Sequence, residues 1–185
     1  MATICIRGGA IPAGHNVTTS YVDLLEHDPA FQHHTFKNIS KLGDSSFEGV
    51  WQFEEVLSCK PDIIILHFGM DDIYRPVYKS EFKENLVRMV QKARALLIEK
   101  IIFPTLHIVD DKSQMEAFEI YTRLIREVAF DLHCSLATVH LEWMNYCYVT
   151  GNSISTLLSE DSRYPNEKGH ALIAEAIKKK LLYLL

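Results

Sequence analysis

The sequence predicts a three-layer α/β/α domain built on a flavodoxin-like, five-stranded parallel sheet. Three observations predict it. Short apolar runs alternate with amphipathic stretches along the whole chain, and one of those runs, Ile63 to Phe68, is apolar on both faces, as a central parallel strand is. No repeat, low-complexity tract or Pro/Gly-rich linker interrupts the 185 residues, of which 48% are hydrophobic. That is enough for one well-buried core and too little for two, so residues 1–185 read as a single domain.

The elements follow in order. Thr3 to Ile6 is a short, largely β-branched run closed by glycines, and Thr18 to Glu26 places Tyr21, Leu24 and Leu25 with helical spacing. Thr35 to Ile39 forms the second strand. Ser46 caps a helix expected to run through Leu57 with Phe47, Val50 and Phe53 on one face, and Pro61-Asp62 leads into the central strand. Phe82, Leu86, Met89, Val90 and Ala93 recur as on a helix packed against a sheet, before a fourth strand at Ile101 to Leu106. Ala117, Ile120, Tyr121, Leu124 and Val128 repeat that pattern ahead of a fifth strand at Leu136 to Val139. A last helix, Glu167 to Leu182, buries Ile173, Ala176, Ile177 and Leu181.

Composition excludes several function classes. The formal net charge is -5, and the only basic run, Lys178-Lys179-Lys180, lies on an otherwise apolar helix, so no nucleic-acid partner is expected. No apolar run approaches the roughly 20 residues that cross a bilayer, and Arg7 with its glycine-rich turn interrupts any secretory signal. Cys5, Cys59, Cys134 and Cys147 lack C-x-x-C spacing and read as free thiols. The expectation is a cytoplasmic protein without a membrane partner.

In a doubly wound sheet the ligand cleft opens at the carboxyl ends of the strands. Four segments fall there: Gly8 to Gly14, Leu42-Gly43-Asp44-Ser45, Gly69-Met70-Asp71-Asp72, and Asp161 to Tyr164 ahead of Pro165-Asn166. In this order the four blocks resemble those of the SGNH hydrolase superfamily, the GDSL esterases and lipases, over essentially the whole chain. There the first block reads Gly-Asp-Ser, the second supplies a glycine, the third reads Gly-x-Asn-Asp and the last Asp-x-x-His. Here they read Gly8-Gly9-Ala10, Gly43, Gly69-Met70-Asp71-Asp72 and Asp161-Ser162-Arg163-Tyr164.

The resemblance implies a mechanism whose parts are missing. The family's serine attacks a carbonyl, its histidine takes the serine proton, its aspartate orients the histidine, and two N–H groups with an asparagine amide hold the oxyanion. Ala10 puts a methyl where the nucleophile belongs. Tyr164 puts a phenol, with an ordinary pKa of about 10, where the base belongs, and Asp161 beside it pushes that value upward. Asp71 replaces the amide donor by a carboxylate, which donates nothing when ionised and withdraws the roughly 3 to 4 kcal/mol one such donor supplies. Of the family's functional positions only Gly43 and Asp161 survive. Gly43 is equally explained by the needs of its turn, and Asp161 by capping the last helix or bonding Tyr164.

The expected function is therefore that of a pseudoenzyme. It would bind an unknown small molecule or protein through the former cleft, at Gly9, Ala10, Gly43, Asp71, His107, Asp161 and Tyr164, with no cofactor. A rewired ester hydrolase or acyltransferase is the rival, with Ser45 of the second Gly-Asp-Ser triplet as a nucleophile and His15, His107 or His170 as base; of these His107 follows the fourth strand most directly. Asp44, Asp71, Asp72 and Asp161 could hold a hard divalent cation or recognise a cationic ligand. The apolar end, Leu181 to Leu185, docks on its own sheet or, if exposed, supports an interaction role or a homo-oligomer. Specificity would come from loops at Tyr74 to Tyr78, Asp110 to Gln114 and Trp143 to Asp161, which carry no readable motif.

Overall fold

The computed structural model describes residues 1–75 and 77–185. Thr3–Gly8 (β1) is flanked by Thr35–Asn38 (β2) and Ile63–His67 (β3), with Lys100–Pro104 (β4) and Ser135–Ala137 (β5) beyond β3. All four pairings are parallel, and the order is β2-β1-β3-β4-β5. The β1–β3 register sets Gly8 opposite His67, so the first and third site segments leave the sheet side by side.

The helices form two layers. Tyr21–Glu26 (α1), Val139–Thr150 (α7) and Glu167–Leu184 (α8) pack together in one. Ser46–Trp51 (α2), Phe53–Ser58 (α3), Lys79–Arg94 (α5) and Lys112–Asp131 (α6) pack in the other, and Met70–Tyr74 (α4) is a short turn at the end of β3. Between them Ile4, Ile6, Ile63, Ile64, Ile65, Ile102 and Phe103 lose essentially all solvent contact. Each such side chain stabilises the fold by roughly 1.5–3 kcal/mol relative to exposure. The expected core faces of α5 and α8 are the observed ones.

Three elements differ from expectation. The single helix from Ser46 breaks at Gln52, whose backbone leaves helical geometry while its side-chain oxygen accepts from Arg7 Nη2 at 3.0 Å and Lys41 Nζ at 2.8 Å. Its cap is Ser45, not Ser46, and Phe47 and Trp51 point outward while Phe53 is buried. The buried face of α6 is set by Phe118, Tyr121, Ile125, Val128 and Ala129, so Ala117, Ile120 and Leu124 lie only at its flanks. The segment read as loop from Trp143 is helix α7, closed by Gly151 at φ 70°. Its apolar residues fall on all sides, with Leu141, Met144, Tyr148 and Val149 exposed, so no 3.6-residue period announces it.

The last helix is capped by Asn166, whose Oδ1 accepts from Lys168 N–H at 3.0 Å and Gly169 N–H at 3.1 Å; the expected cap, Asp161, stays in the loop. Its apolar end docks only in part: Leu181 is buried, while Leu182, Tyr183 and Leu185 are exposed. All four cysteines are free thiols. Among the described residues no helix is long and apolar enough to cross a membrane. Of the expected specificity loops, Tyr74 to Tyr78 includes Pro76, which lies outside the described residues.

The two tryptophans test the assignment of α7. Trp143 is fully buried and Trp51 is 88% exposed. Trp143→Ala is expected to cost about 3–5 kcal/mol in urea denaturation, and Trp51→Ala no more than about 0.5 kcal/mol.

Candidate active site

The loop after β1 turns sharply: Ala13 N–H bonds to Gly9 O at 3.2 Å and His15 N–H to Ala10 O at 3.1 Å. Ala10 has no exposed surface, and its N–H donates to Asp71 Oδ2 at 2.8 Å. The carboxylate lies so close to this backbone that a Cβ on Gly9 would stand 2.0 Å from Asp71 Oδ2 and 2.4 Å from Asp44 O, so residue 9 has to be glycine. A donor that could cradle a developing oxyanion is thus already committed to a fixed anion. Burial pushes the Asp71 carboxyl above the ordinary range, against the pull of the Ala10 N–H and Arg75 and with a further push from Asp44.

Asp72 is spent differently. It has no exposed surface, and its two oxygens accept from Ser46 N–H at 2.9 Å and Gly69 N–H at 3.0 Å, clamping the second segment to the third. Burial raises its pKa to about 6 despite those bonds. Gly43 sits at φ 80° with nothing near the place of its missing side chain, and its carbonyl accepts from Arg75 Nη1, so the turn explains this glycine.

The fourth segment closes over the first. Asp161 Oδ1 accepts from Ser159 Oγ at 2.7 Å, Arg163 N–H at 3.0 Å and Tyr164 N–H at 3.3 Å, and Oδ2 from Asn16 Nδ2 at 3.5 Å. Burial alone would raise its pKa, but these bonds and the Arg163 charge hold it below the ordinary range. Asp161 therefore bonds the backbone of Tyr164 rather than its phenol. That phenol is pushed further from proton-accepting chemistry by burial, then by Asp71 and Asp161, with Arg163 opposing. The Tyr164 ring meets His15 edge-on at 4.6 Å, and Arg163 lies over the Tyr74 ring at 4.9 Å.

Ala10, Gly9, Gly43, Asp71, Asp161 and Tyr164 are thus brought to one corner, and His107 is not. Its ring is buried against Trp143 and Phe118, with Nε2 donating to Arg163 O at 2.7 Å, so it supports the loop from beneath. His15 is the histidine that reaches the cleft. His170 lies in the core, its Nδ1 accepting from Tyr21 N–H at 3.0 Å, and His67 joins the Tyr21 hydroxyl at 3.2 Å. Ser45 Oγ donates to Glu48 Oε2 at 2.7 Å and accepts from Phe47 N–H at 3.3 Å, the work of a helix cap.

The residue that sequence reasoning passed over is Arg7. Its guanidinium is wholly buried and bonds to Asp44 Oδ2 at 2.6 Å, Ile39 O at 3.0 Å and Gln52 Oε1 at 3.0 Å. An arginine inside an apolar strand has to find an anion, and that was the available signal. Asp44 is therefore neutralised in place. Asp72 is engaged by backbone N–H groups and Asp161 by its own turn, so the four aspartates do not form a cation site. Among the described residues no three His, Cys, Asp or Glu side chains converge as metal ligands.

Residues 7–172 match the GDSL-like Lipase/Acylhydrolase family. No curated protein matches the chain. Among solved structures, a lipase/acylhydrolase from Enterococcus faecalis is 23% identical, with a TM-score of 0.84 covering 98% of this chain and 95% of that one. LAE5, an alpha/beta hydrolase enzyme from the metagenome of Lake Arreo, is 20% identical, with a TM-score of 0.85 and coverage of 100% and 96%. Axe2, an acetylxylan esterase from Geobacillus stearothermophilus, is 18% identical, with a TM-score of 0.83 and coverage of 97% and 94%. Two catalytic mutants of that esterase, one with a serine and one with a histidine replaced by alanine, match equally well at 0.83. The fold survives without either side chain.

Two outcomes follow from the buried charges. Asp44→Ala strands the Arg7 guanidinium and should lower stability by about 3–5 kcal/mol in urea titration. The second concerns pH. Burial holds His67 at about 3, and His107 and His170 at about 4. Each is neutral in the fold and titrates near 6.5 when unfolded, so its contribution is complete above about pH 6.5 and is lost as pH falls toward the folded value. Asp72, raised to about 6, acts oppositely: its contribution is present at low pH and lost as pH rises through about 6. Near pH 5 the three histidines outweigh Asp72, so unfolding takes up protons net and stability should fall on acidification there, read from urea midpoints against pH.

Proposed function

We propose that the chain, which belongs to the GDSL-like lipase/acylhydrolase family, is a pseudoenzyme that has left serine hydrolysis and works by binding a small ligand or a protein partner at the rim of the former active site. The observation that carries this reading is the Ala10 N–H bond to the Asp71 carboxylate. A substrate carbonyl entering there would find its cradle filled by an anion, with a methyl in place of the attacking oxygen and a phenol of raised pKa in place of the base. The seryl rival, Ser45, is already bonded at its hydroxyl and buried. The accessible groups at the corner are the partly buried His15 and Tyr164 with the exposed Arg163 and Asp161, an aromatic rim carrying one charge of each sign over a closed floor.

Hydrolysis of p-nitrophenyl acetate tests it. The native protein is expected to match the uncatalysed rate, and Ala10→Ser alone to remain inert, because position 71 still presents a carboxylate and position 164 a phenol. Ala10→Ser, Asp71→Asn and Tyr164→His together restore an attacker, a donor and a base, and should raise the rate by at least about 100-fold, the scale of a single oxyanion donor. Clear native turnover, or a fluorophosphonate adduct on any native side chain of the cleft, would overturn the reading.

A further inference from the structure

We propose that the chain carries a second, apolar binding site beside the former cleft, in the cavity between the loop after β4 and helices α6 and α7, and that it takes a small aromatic or short-chain alcohol. The cavity measures about 210 Å³. Its walls are Leu106, Ile108 and Val109 from the loop, Met115 and Phe118 from α6, and Met144 from α7. An apolar cavity of about 150 Å³ is large enough to take benzene, so this one accommodates a ring with one short substituent. The two thioethers are the adaptable part of the wall, able to close on ligands of differing outline.

The polar groups at the edge of the cavity are few, which sets the ligand class. They are Thr122 and Glu119 on α6, His140 on α7 and His107 after β4, whose buried Nδ1 has no partner among the described residues. His140 Nδ1 is engaged with Thr105 Oγ1 at 2.7 Å, which leaves Nε2 and the Thr122 hydroxyl to meet a ligand. A single hydroxyl suits both, since it donates and accepts. An anionic group on the ligand would have to be buried against apolar walls with only the Glu119 carboxylate, a like charge, at the edge.

The cavity also touches the former active site mechanically. His107 lines it, and the same imidazole holds Arg163 O at 2.7 Å and packs on Trp143 at a centroid distance of 5.1 Å. An occupant would therefore press on the support of the Asp161–Tyr164 loop without entering the corner at Ala10. The site stands on this cavity alone and is independent of whether the cleft binds or hydrolyses anything.

The test is a titration with benzyl alcohol of protein labelled with ¹³C at the methionine methyls. Saturable shifts are expected at Met115 and Met144, with intermolecular NOEs from the benzyl ring to those two methyls, while the core residues Met70 and Met89 stay still. Thr122→Phe should fill the cavity and abolish the shifts. No saturable shift up to the solubility of benzyl alcohol would overturn the proposal, as would undiminished shifts in a folded Thr122→Phe protein, or shifts and NOEs centred on Met70 at the cleft. Should Thr122→Phe fail to fold, the presence or absence of the NOEs in the native protein decides by itself.

Discussion

The guanidinium of Arg7 is the constraint on which the site half of the molecule depends. It enters the interior because β1 is a central strand, and a charge there costs several kcal/mol unless its donors find acceptors, which Nη1 and Nη2 do and the buried Nε, among the described residues, does not. The acceptors come from four places: the chain just past β2, the second site segment, the Glu48 carbonyl in the first turn of α2 and the break at Gln52. One buried cation thus sets the path of about a dozen residues and explains why the helix expected to run unbroken from Ser46 is two. It also brings Asp44 O against Gly9, so the first and second segments meet with no room for another side chain.

On that frame several groups at the corner by Ala10 are already engaged within the fold. The Ala10 N–H is answered by Asp71, Asp161 by its own turn, and Nε2 of the imidazole beneath the loop by Arg163 O, while its Nδ1 has no partner among the described residues. Active sites ordinarily hold groups in reserve for a substrate, at a cost in stability. Here the Ala10 N–H and Asp161 are already bonded within the fold, which supports the binding role proposed above.

Much of this was legible in the chain. The five-stranded parallel sheet and the faces of α5 and α8 follow from period and strand hydrophobicity, and the four site segments from their place after the strands. What was hidden has physical causes. Helix α7 carries apolar residues all round, so no pattern distinguishes it, although Gly151 marked its end. His107 follows β4 as a cleft residue would, yet its ring turns inward because Phe118 and Trp143, distant in sequence, build an apolar wall there. Arg7 looked like an interruption of a strand, and its partners lie 32 to 45 residues away. Long-range pairing is the information a single sequence encodes least openly.

Asp71 and Asp72 are adjacent and chemically identical, but a helical turn of about 100° per residue faces one toward the cleft and the other toward the core. At position 72 both oxygens receive backbone N–H groups from different loops, so an amide there would set its own NH₂ against a donor. At position 71 one oxygen answers one N–H, and an amide could do the same. The pair therefore reads as a doubled letter and encodes opposite tolerances: isosteric exchange should be forgiven on the outer carboxylate, whereas on the inner one it should pull the clamped loops away from each other.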